Sequence, residues 1–148
     1  MEESTLGKLF KHKAILTKSG PMSFEEAFKG AKCIGIYFSA HWCPPCRGFT
    51  PVLAAAYKEA NTTEKVCEVL FVSSDQSEEE YKSYFESMPW TALPFDDHEL
   101  KKELSSKYGV KGIPMLVVVK PDGTLINGNA RGEITSKGPH AIEEFANA

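Results

Sequence analysis

The run Tyr37 to Pro51, Y-F-S-A-H-W-C-P-P-C-R-G-F-T-P, changes its periodicity halfway along and decides how the rest of the chain is read. A strand-like apolar segment enters it, an aromatic residue precedes two cysteines separated by two prolines, and helical spacing leaves it. With Cys43 at a helix N-cap and Cys46 in the first turn, the two side chains share a helix face within reach of a disulfide. Cys43 then lies at the positive end of the helix dipole, which favours the thiolate, the attacking species in thiol chemistry. Pro44 and Pro45 suit a first turn, where backbone N–H groups have no helical acceptor, and they stiffen the link between the sulfurs. They also remove two N–H donors, so the thiolate is favoured less than the helix end alone implies. Arg47 and His41 flank the pair, either adding positive potential or facing solvent. These residues read as a redox site.

Two further stretches join this one: M-P-W-x-x-L-P-F at Met88 to Phe95 and G-I-P at Gly112 to Pro114. On these residues the chain resembles the thioredoxin superfamily, and more closely its tryparedoxin and nucleoredoxin branch, over roughly Leu16 to Val119. The resemblance implies an α/β thioredoxin-like fold, a central mixed β-sheet flanked by helices. It implies that Trp42 covers the pair and contacts the incoming substrate, beside Pro44 and Pro45. It also implies a cis Pro114 next to the cysteines, which leaves the Ile113 backbone free to pair with an extended substrate segment. Ordinary thioredoxins typically carry glycine at the place of Pro44 and a buried aspartate six residues before the first cysteine. Tyr37 stands there here, as in tryparedoxins, so the proton relay inferred for ordinary thioredoxins does not carry over. Ala40-His41-Trp42 departs from the serine often found before the tryptophan in tryparedoxins.

Composition sets the outer bounds. A chain of 148 residues with 42% apolar composition is expected to form a single domain over residues 1–148, with residues 1–20 a short extension or strands. The formal charge of -3 is modest, and acids cluster only at Glu78 to Glu80, so no nucleic-acid or anionic-membrane surface is expected. No apolar run is long enough to span a bilayer. Residues 1–13 hold early acids and no apolar core, unlike a secretory signal. Four cysteines with one close pair favour a reducing compartment, cytoplasmic or nuclear, where such a pair is catalytic or metal-binding.

Along the chain, Leu6 to Leu16 suggests short outer strands before a Ser19-Gly20-Pro21 turn. Ser23 and Glu26 form a capping box for a helix from Phe24 to Phe28. Cys33 to Phe38 and Val66 to Val72 read as buried strands joined by a helix over 45–60, a parallel βαβ unit. Pro51 interrupts that helix as a kink, or else marks its end. Ser77 and Glu80 cap the next helix, which runs to about Ser87 and buries Tyr81, Tyr84 and Phe85. Asp75 follows a strand end, where it either approaches the sulfurs or caps that helix. Trp90, in an aromatic loop over 88–95, is either a substrate-facing wall or a packing anchor. A helix from Asp97 to Tyr108 stops at Gly109, and Pro121-Asp122-Gly123 turns a hairpin between residues 115–119 and 124–126. Residues 127–138 read as a surface loop, and Pro139 to Phe145 as a helix.

Cys33 and Cys67 fall inside apolar strand segments, where free cysteine acts as a small hydrophobe. A zinc site using all four cysteines needs both to leave their strands, and no second C-x-x-C exists. His12, His98 and His140 show no ligand spacing. The functional expectation is a thiol-disulfide oxidoreductase in which Cys43 attacks a substrate disulfide and Cys46 resolves the mixed disulfide. Without a glycine-rich phosphate loop, no metal, flavin or nucleotide cofactor is expected, and electrons come from an external dithiol. The resemblance implies trypanothione, glutathione or a thioredoxin reductase system as donor, and disulfide-bearing proteins such as peroxidases as acceptors. The alternative is a redox-gated protein-binding module with little turnover.

Overall fold

Cys33–Ser39 and Cys67–Ser73 lie side by side as parallel strands, in register from Cys33 opposite Cys67 to Ser39 opposite Ser73. Every position in both is buried, which is why each reads as a continuous apolar run rather than an alternating one. In the computed structural model, which describes residues 9–10 and 13–148, they are the centre of one mixed sheet. Its strands are β1 (Ile15–Thr17), β2 (Gly20–Met22), β3 (Cys33–Ser39), β4 (Cys67–Ser73), β5 (Thr91–Ala92), β6 (Met115–Val119) and β7 (Leu125–Asn127). They follow the order β2-β1-β5-β4-β3-β6-β7. β5 is parallel to β4, while β6 pairs antiparallel with β3 and with β7.

The pleat sends alternate residues to opposite faces. Cys33, Tyr37, Val69 and Phe71 pack with α2 (Pro44–Ala60), α3 (Glu78–Glu86), α5 (Arg131–Lys137) and α6 (Pro139–Ala146). Ile34, Ile36, Phe38, Leu70 and Val72 pack with residues of α1 (Phe24–Ala27) and α4 (His98–Lys107). Each large apolar side chain buried this way contributes about 1.5–3 kcal/mol. Gly35 allows β6 to close on β3, because a Cβ there would stand 3.1 Å from Leu116 Cδ1.

Two caps fall where the sequence places them, Ser23 accepting from the Glu26 N–H and Ser77 from Glu80, and of Asp96 and Asp97 it is Asp97 that caps α4, accepting from the Leu100 N–H. α2 continues through Pro51 as one 17-residue helix, so that proline does not end it. Three expectations are corrected. Residues 127–138 do not loop over the surface: Arg131–Lys137 is helical, with Ala130 and Ile134 buried four residues apart and Glu133 paired to Lys137. Packing against α2 and α6 offsets the helix cost of Gly132, and Gly138, at φ 58°, turns the chain into α6. The loop over 88–95 contains a two-residue strand that bridges β4 to β1. The outer hairpin falls at 15–17 and 20–22 rather than within 6–16, and Leu9 and Phe10 belong to a helical turn. Residues 1–8, on which the reading of the N-terminal segment largely rests, lie outside the described residues. No helix among the described residues is long and apolar enough to cross a membrane.

Candidate active site

β3 delivers the chain to its carboxyl end at Ser39, and α2 begins five residues later. Cys43 is the N-cap of α2 with extended backbone, and its Sγ accepts the Cys46 N–H at 3.4 Å. Pro44 and Pro45 fill the first helical positions. The two sulfurs are joined as a disulfide, with Cα atoms 5.2 Å apart. Cys46 is fully enclosed and Cys43 retains 5% exposure, so Cys43 is the sulfur nearer solvent. Ala40 and the cysteines form a small apolar cluster against which Ile113 packs, and the Ile113–Pro114 bond is cis.

Trp42 is half exposed, and its Nε1 donates to the Ser74 carbonyl at 2.9 Å. The segment after β4 therefore holds the segment before α2. Ser74 N–H donates to the Ser39 carbonyl, and His41 N–H donates to Asp75 Oδ1 at 2.7 Å. Asp75 is buried and also accepts from the Ser73 hydroxyl at 2.6 Å, while Lys101 Nζ donates to the Ser73 carbonyl at 2.7 Å. Burial pushes the Lys101 amine down, partly offset by the Asp75 carboxylate. Ser77 caps α3, so Asp75 is not that cap but a tie between two loops. Asp75→Ala leaves a backbone N–H and a hydroxyl without their acceptor. It is expected to lower stability by about 1–3 kcal/mol, seen as a lower urea midpoint at unchanged slope.

Tyr37 is buried beneath α2, with its hydroxyl 2.6 Å from Thr50 Oγ1 and 3.3 Å from the Cys46 carbonyl. Burial pushes its phenol well above the ordinary value, so it stays neutral and acts as a hydrogen-bonding group. Trp90, at 1% exposure, packs edge-on against Tyr37 and Tyr57; it is a core anchor and not a substrate wall. Arg47 is exposed on the first turn of α2.

One residue of the site escapes the sequence reading. Arg131 opens α5, and its Nη1 donates to the Pro114 carbonyl at 2.6 Å. It borders a groove of about 330 Å³ lined also by Pro45, Phe49, Pro114 and Thr135. The available signal was a lone basic residue between Ala130 and Ile134, whose spacing of four is helical.

Cys33 and Cys67 are both buried and free. The Cys33 hydrogen bond and burial push the Cys67 thiol well above its ordinary value. Among the described residues no group of three or more His, Cys, Asp or Glu side chains is placed to hold a metal ion. In the native reduced protein both thiols are expected to resist iodoacetamide while Cys43 is modified, and to react once urea unfolds the chain; mass spectrometry of the alkylated peptides reads the difference.

A disulfide at a helix start, set on the carboxyl end of a mixed sheet beside a cis proline, defines a thioredoxin-type redox fold. The family model for "Thioredoxin-like" proteins matches residues 30–125. Nucleoredoxin of Bos taurus is 41% identical over 119 residues, 80% of this chain but only 27% of its own length. Tryparedoxin of Trypanosoma brucei brucei is 43% identical over 121 residues, covering 81% of this chain and 82% of that protein. A solved tryparedoxin II complexed with glutathionylspermidine superposes with TM-score 0.80 at 36% identity, over 92% of this chain and 94% of that one. The chain belongs to the thioredoxin-like family, in its nucleoredoxin and tryparedoxin branch. It carries the Cys43–Cys46 pair and spans only about a quarter of the length of the nucleoredoxins it matches.

Proposed function

We propose that the chain is a protein-disulfide reductase. Reduced Cys43 attacks a disulfide of a protein substrate, releasing one substrate thiolate and forming a mixed disulfide. Cys46 then loses its proton to water and attacks Cys43 Sγ; the second substrate thiolate leaves and the Cys43–Cys46 disulfide forms. An external dithiol reverses the oxidation through the same two exchanges, so no metal, flavin or nucleotide enters the cycle.

The observation that carries this reading is the N-cap position of Cys43. Its sulfur accepts a helix N–H while the enclosed Cys46 lies one turn on. A helix start stabilises a thiolate, and a dithiol-disulfide reaction needs a thiolate there. The surroundings supply the recognition: the exposed Trp42 ring, the Pro44-Pro45 turn, Pro114 lining one groove with Pro45, and Ile113 packed on the cysteines. No backbone hydrogen bond within the described residues uses the Ile113 N–H, so that edge is open to an extended strand of substrate. Peroxidases with accessible disulfides are the proposed substrate class.

The glutathionylspermidine bound by a tryparedoxin relative makes a glutathione-containing dithiol such as trypanothione the first donor to test. The oxidised chain is mixed in parallel with reduced trypanothione, glutathione, or NADPH and thioredoxin reductase, each coupled to reduction of insulin disulfides. Fast turnover with one donor is the expected result and identifies the supply. If none sustains turnover, the reductase reading fails and a redox-gated binding module takes its place.

A further inference from the structure

Four buried hydroxyls lie in a row that ends on the Cys46 carbonyl, three from the Tyr37 to Pro51 run and one, Tyr84, from α3. Ser39 Oγ stands 2.8 Å from Tyr84 OH, Tyr84 OH 2.6 Å from Thr50 Oγ1, and Tyr37 OH 2.6 Å from the same Thr50 Oγ1. Thr50 Oγ1 reaches the Cys46 carbonyl at 2.9 Å. All four residues are at most 4% exposed, so hydrogen bonds to bulk water do not compete.

Counting hydrogens orders the row. A hydroxyl has one hydrogen and two lone pairs. The Cys46 carbonyl only accepts, and Thr50 at 2.9 Å is closer to it than the Tyr37 hydroxyl at 3.3 Å; with the Thr50 hydrogen on that shorter contact, both tyrosines donate to Thr50. Tyr84, its hydrogen committed, accepts from Ser39. The row therefore runs in one direction, Ser39 to Tyr84 to Thr50 to the Cys46 carbonyl, with Tyr37 joining at Thr50. Hydrogen bonds aligned in this way polarise one another and hold their end group more firmly than an isolated bond. Their end group is the peptide that carries Cys46.

We infer that Thr50, Tyr84 and Ser39 are positioning residues for the resolving cysteine. They act through its carbonyl and not on its sulfur, fixing the first turn of α2 so that the Cys46 sulfur faces Cys43 when a mixed disulfide has formed. This deepens the function proposed above and rests on the roles given there to the two cysteines. In the step concerned, the bond from Cys43 to the substrate sulfur breaks, the Cys43–Cys46 bond forms, and the substrate departs as a thiolate. A small rotation of a reacting group lowers such an intramolecular rate steeply.

The test separates the two attacks. Reduced protein is mixed with one equivalent of an aromatic disulfide that releases a coloured thiolate at each exchange. The first release reports Cys43 attack and the second reports Cys46 attack. In Thr50→Val, which keeps the shape and removes the hydroxyl, the first release is expected at the native rate and the second about tenfold slower, with the mixed disulfide accumulating in the mass spectrum. Thr50→Ser restores the hydroxyl and should recover most of the loss. Equal rates for both releases in Thr50→Val and the native protein overturn the inference. So does Thr50→Ser as slow as Thr50→Val, which assigns the effect to the lost methyl group. If Thr50→Val does not fold, Tyr84→Phe is read in the same way: a slower second release alone supports the row, and an unchanged one overturns it. A small aromatic disulfide needs no natural substrate, so failure of the insulin assay strikes the proposed function without touching this result.

Discussion

Cys43→Ser is expected to lower turnover on protein disulfides by about 10³-fold or more, as losing a nucleophile does. Cys46→Ser should stop the cycle at a different point. Serine at position 43 leaves the helix start intact, since its hydroxyl can accept the same N–H that Cys43 Sγ accepts at 3.4 Å. A hydroxyl with an ordinary pKa, however, does not attack a disulfide. Serine at position 46 leaves the nucleophile in place and removes only the enclosed sulfur that resolves the intermediate. The protein should then be isolated as a mixed disulfide with its substrate. Mass spectrometry after quenching with acid checks both results: no adduct for Cys43→Ser, a stoichiometric one for Cys46→Ser. The reverse pattern would exchange the roles of the two cysteines.

The two tryptophans should separate stability from activity. Trp90 is almost fully enclosed between Tyr37 and Tyr57, so Trp90→Ala opens a cavity and is expected to cost about 3–5 kcal/mol. For a domain of this size that lowers Tm by roughly 10 °C. Its indole N–H has no partner among the described residues, so Trp90→Phe loses packing but no hydrogen bond and should fall between the two. Trp42 is half exposed, held by one hydrogen bond to the Ser74 carbonyl. Trp42→Ala should shift stability by no more than about 1 kcal/mol while raising KM for a protein disulfide by about tenfold, as loss of an aromatic anchor does. Thermal unfolding and steady-state kinetics on both variants decide the matter. A Trp42→Ala protein with native KM removes that ring from the recognition surface.

Much of this site was legible in the sequence because its determinants are local. The cysteine spacing, the prolines at the first helical positions and the capping serines act within one turn of chain, so neighbouring residues suffice to read them. The central strands were equally plain, since burial on both faces requires unbroken apolar runs. Local signals could not place Asp75, whose partner His41 lies 34 residues away, or choose between wall and anchor for Trp90. Nor could they show α5, where Gly132 and polar residues read as a loop until Ala130 and Ile134 find a surface to cover.

The sequence by itself determined the redox pair, its place at a helix start, and the sheet that carries it. Only the tertiary structure decided what surrounds the pair. Hydrogen bonds from Arg131 to Pro114, from His41 to Asp75 and along the row from Ser39 through Tyr84 to Thr50 join residues 17 to 45 positions apart. Such bonds form only after packing has brought their elements together, so no stretch of sequence contains them.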